Sequence, residues 1–279
     1  MTASPVKFRL EAGTVELDVL LRGSLSEQMA ATFTNRMAAF VGLERSPWIR
    51  KTIACDWTVS GNDQQKYESA RGGHEPISSQ LSPTSWWVDW CYYRMNFNST
   101  RSDGTLSDWG PGLEHALRGA AIFPSMPETL FFHAATLVYR AEAFLVAGSP
   151  NAGKSTISLE GQAERVLSNE ISILARRDGR WWALPSPFWG TGDVATRVEP
   201  APLAAVIELS QAGDRNQWTA LSGAHAAASL LPHAGSQSRE QANDPALLSA
   251  IADLTGGVPT YSLAWHRSSH PLVGSPWKP

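Results

Sequence analysis

The sequence predicts a mixed α/β protein, α+β overall, with a smaller N-terminal α+β domain over residues 1–125 and a phosphate-loop domain over residues 126–279. Three observations predict it. The apolar run Ala143 to Ala147 leads directly into GSPNAGKST, Gly148 to Thr156, and then into a stretch with Ile157 and Leu159 that can open a helix. From Leu130 onward, strand-like runs, loops and helix-like runs alternate. Before that point the chain begins with a period-two apolar pattern and then changes to helical spacing.

Lys7 to Ala12 and Thr14 to Leu21, with Val15, Leu17, Val19 and Leu21 alternating, form an expected hairpin turning at Gly13. Ser24 followed by Glu27 has capping-box spacing, and Met29, Phe33, Met37 and Phe40 recur at helical spacing to about Val41. Trp48 to Val59 and Ser85 to Phe97 are the next expected strands, separated by a polar loop from Ser60 to Pro83. The aromatics of SWWVDWCYYRMNF fit a strand packed on both faces. A second loop, Asn98 to Pro111, leads into a helix from Gly112 to about Ile122 that Pro124 should end. Later strands are expected at Thr136 to Tyr139, Ala143 to Ala147, Arg165 to Leu167, Ile171 to Ala175, Trp181 to Leu184, Leu203 to Leu209 and Val258 to Trp265. Two helices fall at His225 to Leu231 and Pro245 to Leu254.

Of the 279 residues, 43% are hydrophobic and 18% charged, a composition that excludes disorder as the overall state. The net charge of −3 gives no electrostatic footprint for nucleic acid or an acidic membrane, so neither is an expected partner. Only Cys55 and Cys91 are present, which suggests neither a zinc site nor a disulfide framework and fits a reducing cytoplasm. No apolar run has the length of a signal or a membrane span, so a soluble cytoplasmic protein is expected.

The chemistry is concentrated in the loop. GSPNAGKST matches G-x-x-x-x-G-K-[ST], whose backbone N–H groups, lysine and hydroxyl address the phosphates and Mg²⁺ of a nucleoside triphosphate. Gly148, Ser149, Pro150, Asn151, Ala152, Gly153, Lys154, Ser155 and Thr156 are thus the expected binding set for ATP. Lys154 reaches the β- and γ-phosphate oxygens, and Ser155 is the Mg²⁺ hydroxyl. His133 lies ahead of the strand that feeds the loop, and Asn169-Glu170, after the loop helix, puts a carboxylate where a strand end can hold Mg²⁺ or orient an attacking hydroxyl. Asp193, in LPSPFWGTGD, is a further acidic residue in a Pro- and Gly-punctuated loop.

The order His133-Ala134, strand, GSPNAGKST, short helix, VLSNEISIL and PSPFWG resembles the catalytic domain of the HPr kinase/phosphorylase family and its smaller relatives, including those found beside peptide-modifying enzymes. The resemblance spans Leu130 to Trp265. It implies a fold shared with phosphoenolpyruvate carboxykinase, Mg²⁺-ATP as donor, and a serine hydroxyl of a peptide or small protein as acceptor. It further implies His133, Lys154, Asn169 and Glu170 as catalytic residues, Ser155 and Glu170 as metal ligands, and self-association as a homo-oligomer. Two departures stand out. Asn169 replaces the first of the family's paired aspartates, and an amide cannot take up a proton. The family's Glu-x-Arg-Gly-Leu-Gly signature is absent. A non-catalytic nucleotide-binding partner in a biosynthetic pathway and a kinase acting on a small hydroxyl compound therefore remain alternatives.

Overall fold

Strands β1 (Val6–Ala12) and β2 (Val15–Arg22) pair antiparallel with Ala12 opposite Val15, the hairpin that the alternation predicts. The computed structural model describes residues 4–42, 44–60, 77–82, 85–90, 93–108, 112–190, 195–212, 214–235 and 244–277. It is mixed α+β with two mixed sheets. The chain divides into two compact units, one of residues 1–126, 193–195 and 236–244, the other of residues 127–192, 196–235 and 245–279.

In the first unit, β3 (Lys51–Ser60), β4 (Ile77–Ser82), β5 (Ser85–Trp90), β6 (Tyr93–Asn98) and β7 (Arg101–Ser107) join the hairpin in the order β1-β2-β3-β7-β6-β5-β4. The single strand expected over Ser85 to Phe97 is instead two antiparallel strands with Trp90 opposite Tyr93. β5 also alternates, with Trp86 and Val88 buried and Trp87 and Asp89 half-buried, so its two faces are not equally packed. The loop expected over Asn98 to Pro111 contains β7. Its polar sequence hides it, because a serine occupies one of its two buried positions: Ser102 Oγ accepts a 2.9 Å hydrogen bond from the buried Trp57 Nε1. Likewise β4 lies inside the loop expected from Ser60 to Pro83, the rest of which, apart from Ser60 at the end of β3, is outside the described residues.

Helix α1 (Glu27–Arg36) starts two residues later than the Ser24 spacing suggests. Ser26 is the residue in extended conformation, and its Oγ accepts from Met29 N at 3.2 Å, so it is the N-cap. α1 gives way to a 3-10 turn, Ala38–Phe40, that buries Phe40. Helix α2 (Gly112–Ser125) carries Pro124 in its last turn rather than ending before it.

The second unit contains β8 (Thr129–Tyr139), β9 (Glu142–Ala147), α3 (Lys154–Glu160), β10 (Arg165–Ser168), β11 (Ile171–Arg177), β12 (Arg180–Leu184), β13 (Ala201–Gln211), β14 (Gln217–Leu221), α4 (Gly223–Leu230), α5 (Pro245–Gly257) and β15 (Thr260–Trp265). β14, a mostly exposed edge strand, has no counterpart in the sequence reading. The long β8 has two sets of neighbours: its first half pairs with β11 and its second half with β9. Because β11 continues through β12 to β13, and β13 pairs in parallel with β9, the pairings β8-β11-β12-β13-β9 return to β8 and close a ring. Leu137, Phe144, Val146, Ile157, Ile207, Leu209, Leu263 and Trp265 are buried together in the core from which the GSPNAGKST loop emerges. No helix among the described residues is long and apolar enough to cross a membrane.

Candidate functional site

β9 is buried from Ala143 to Ala147 between β8 and β13, and the chain leaves it at Gly148. A Cβ at Gly148 would lie 2.7 Å from the Leu209 carbonyl oxygen, so the turn out of the strand tolerates only glycine. Asn151 and Gly153 are left-handed, with φ of 67° and 105°, and Ala152 N donates to Ser149 O at 3.1 Å. From the neighbouring strand, Gln211 Nε2 donates to Asn151 O at 2.8 Å and holds the loop's tip. Gly148→Ala should destabilise the chain by about 1–3 kcal/mol, since a backbone carbonyl cannot swing aside as a side chain can. Urea unfolding checks this; an unchanged midpoint would show that β13 yields instead.

Lys154 opens α3 and is buried. Its Nζ donates to Gly148 O at 2.7 Å and to Ser149 O at 3.3 Å, so the ammonium is drawn across the base of its own loop. Burial lowers its pKa, and the carboxylate of Glu170 acts in the opposite direction. Ser149, Pro150, Asn151 and Ser155 are exposed around this ammonium, and Thr156 is half-buried. Pro150 lacks a backbone N–H and contributes only shape. With seven residues, α3 adds little macrodipole, leaving the loop amides and Lys154 as the positive elements.

On the other side of β9, β10 and β11 run antiparallel along one edge of β8; after an irregularity between Val166 and Ser168, Ser168 lies opposite Thr136 and Ile171 opposite His133 in one register. Asn169 and Glu170 occupy the interruption. Beneath it lie three buried hydroxyls: Thr136 Oγ1 donates to Ser172 Oγ at 2.7 Å, Ser168 Oγ and Ser172 Oγ are 2.7 Å apart, and Ser172 Oγ reaches Ala134 O at 2.9 Å. These bonds tie both sides of the interruption to β8, and Ala134 N donates to Glu170 O at 3.0 Å.

The two polar residues then part. Glu170 is partly exposed, with Oε1 3.4 Å from His133 Nε2. Asn169 is buried, and its Oδ1 accepts from Gly190 N at 2.8 Å. That bond belongs to the PSPFWG segment, which lies along the interruption: Ser186 N donates to Leu167 O at 3.1 Å and Ile171 N to Phe188 O at 3.2 Å. The segment is itself a tight turn, with Phe188 N donating to Ser186 Oγ and Trp189 Nε1 to Ser186 O. Asp193 lies outside the described residues.

Lys154, Glu170 and His133 thus come together, whereas Asn169 serves as a buried acceptor for the loop after β12 and Ser155 is exposed on the first turn of α3. The buried hydroxyls were not singled out from sequence, although the alternating Ser168, Glu170 and Ser172 of LSNEIS hinted at one polar face of a strand. Among the described residues, no three His, Cys, Asp or Glu side chains gather as they would to hold a metal by themselves. Mg²⁺ held largely by phosphate oxygens and water needs only one or two protein oxygens, a demand that the Ser155 hydroxyl and the Glu170 carboxylate fit. No protein-family model matches the chain, and no characterised protein matches it in sequence.

Proposed function

We propose that the chain is an ATP-dependent kinase that transfers the γ-phosphate to a hydroxyl, that of a serine in a peptide or small protein, with the second unit acting as a P-loop kinase domain of HPr kinase/phosphoenolpyruvate carboxykinase type. The observation that carries this reading is the approach of Lys154, rooted in the GSPNAGKST loop, to Glu170, which is itself 3.4 Å from His133. A phosphate-binding loop alone would account for nucleotide binding. A carboxylate and an imidazole beside its lysine add what transfer to a hydroxyl requires.

Lys154 and the loop amides would neutralise the phosphates, and Ser155 and Glu170 would hold Mg²⁺, which supplies further charge neutralisation when bound. The serine oxygen forms its bond to the γ-phosphorus as the bond from that phosphorus to the bridging oxygen breaks, leaving ADP. Where Glu170 is not engaged by the metal it is instead the base that would take the hydroxyl proton, oriented by His133. Asn169 is outside this exchange, because its amide has no proton affinity and its oxygen already accepts from Gly190.

The burial of Asn169 also favours a second reading, a nucleotide-binding partner without turnover, since the first position of the family's acidic pair here serves packing. Titration calorimetry with ATP and ADP, with and without Mg²⁺, tests the shared premise: Mg²⁺-dependent ATP binding is expected, and its absence would overturn both readings. Asn169→Asp then separates them. An aspartate oxygen can still accept from Gly190, so a gain in transfer of labelled γ-phosphate to serine peptides or water marks a slow kinase. Binding without transfer in either form marks the partner.

A further inference from the structure

His233 is a residue that the sequence reading passed over. It ends the 3-10 turn Leu231–His233 that follows α4, and the chain then meets β8. Phe132 pairs antiparallel with Ala234, and Gly235 N donates to Phe131 O at 2.5 Å. Phe132 also pairs with Ser172 of β11, so Ala234 lies on the opposite edge of β8. His133 and His233 thus each adjoin a residue of that bridge, and the two imidazoles lie close enough to act on one another.

Three groups with titratable or fixed positive charge therefore meet: Lys154 from α3, His133 from β8 and His233 from the turn. Glu170, from the interruption between β10 and β11, faces His133 and Lys154. The preceding helix α4 contributes His225, which is exposed. His233 is half-buried and is held below the ordinary histidine pKa, first by burial and then by the Lys154 ammonium and His133. Without an anion, one ammonium and one carboxylate nearly balance, and a second cation is unwelcome. A terminal phosphate carrying about two negative charges reverses that balance and favours an imidazolium beside it.

We infer that His233 is a second imidazole of the phosphate site: with His133 and Lys154 it receives the terminal phosphate of a nucleoside triphosphate, taking up a proton as it does so. This rests on the nucleotide reading above and deepens it, because it assigns the chain a preference for tri- over diphosphate. ADP keeps the loop contacts, lacks the group that His233 senses, and binds without that proton.

The test is calorimetric titration of the intact chain with Mg²⁺-ATP and Mg²⁺-ADP near pH 7.5, about one unit above the ordinary histidine pKa, in two buffers of different ionisation enthalpy. The wild type and His233→Gln are compared. The wild type should take up a larger fraction of a proton with ATP than with ADP. His233→Gln should remove that difference and weaken ATP about tenfold while leaving ADP within about twofold, the size expected for one charged phosphate contact. ATP's own protonation is common to both proteins and cancels. Failure of the wild type to bind either nucleotide overturns the nucleotide reading and this inference with it. If binding is retained, an ATP-minus-ADP difference in proton uptake that His233→Gln leaves unchanged overturns the inference alone. An equal loss of ATP and ADP affinity in His233→Gln also overturns it, because it would show that the residue only shapes the site.

Discussion

Lys154→Ala should lower transfer of the γ-phosphate by about 10²–10³-fold, the loss typical of removing one preorganised donor aimed at developing charge. Nζ sits over the loop that would hold the phosphates, tied to Gly148 O and Ser149 O by two of its three N–H groups. The third remains for a phosphate oxygen. Burial makes its charge effective, because little water screens it, and Glu170 compensates part of the cost. Lys154→Arg should recover little, since a planar guanidinium cannot repeat the same bonds to two adjacent carbonyls and still reach a phosphate. Labelled transfer to water or to serine peptides measures the rate. The ATP affinity of the variant shows whether the loss falls on binding or on the transition state. Transfer at the wild-type rate by Lys154→Ala would remove the loop from the mechanism.

What the sequence made legible depended on how local each signal was. The loop was visible because glycine is demanded at Gly148 by contact with Leu209 and at Gly153 by a left-handed φ, and because an apolar β9 must precede it. The hairpin β1-β2 followed from strict alternation. β7 was hidden because one of its two buried positions is Ser102, satisfied by Trp57 of the neighbouring β3, and no local pattern shows that a serine will be buried. The helix start was misplaced by two residues because both Ser24 and Ser26 offer a hydroxyl, and the choice falls to the one whose Oγ reaches Met29 N. In the site, His133, Lys154 and Glu170 were readable from a motif and its neighbours. The fixing of Asn169 by Gly190, the hydroxyls of Thr136, Ser168 and Ser172, and the Phe132–Ala234 bridge that brings His233 near His133 all arise from pairings between distant segments, which leave no periodicity.

Glu114→Ala should destabilise the first unit by about 3–5 kcal/mol, a large effect for a single polar substitution. Glu114 is 4% exposed, in the first turn of α2, where the helix dipole favours a carboxylate. Its Oε2 lies 2.8 Å from Arg36 Nη1, in the last turn of α1, and its Oε1 bonds the guanidinium of Arg118 one turn along α2. One carboxylate thus serves two largely buried guanidiniums, and removing it leaves two like charges together in a poorly hydrated place. Glu114→Gln should cost less, because an amide oxygen still accepts a hydrogen bond even though the charge is lost. The exposed Arg22–Asp56 pair, bonded at 2.9 Å, is the internal contrast: solvent screens it, so Asp56→Asn should change stability little. Hydrogen exchange of the β2 and β3 amides reads the effect within this unit, where each 1.4 kcal/mol corresponds to about a tenfold faster exchange through unfolding. Exchange unchanged by Glu114→Ala would mean that the two arginines find water without unfolding, and that the packing of α1 and α2 requires neither the charge nor the hydrogen bonds of this carboxylate.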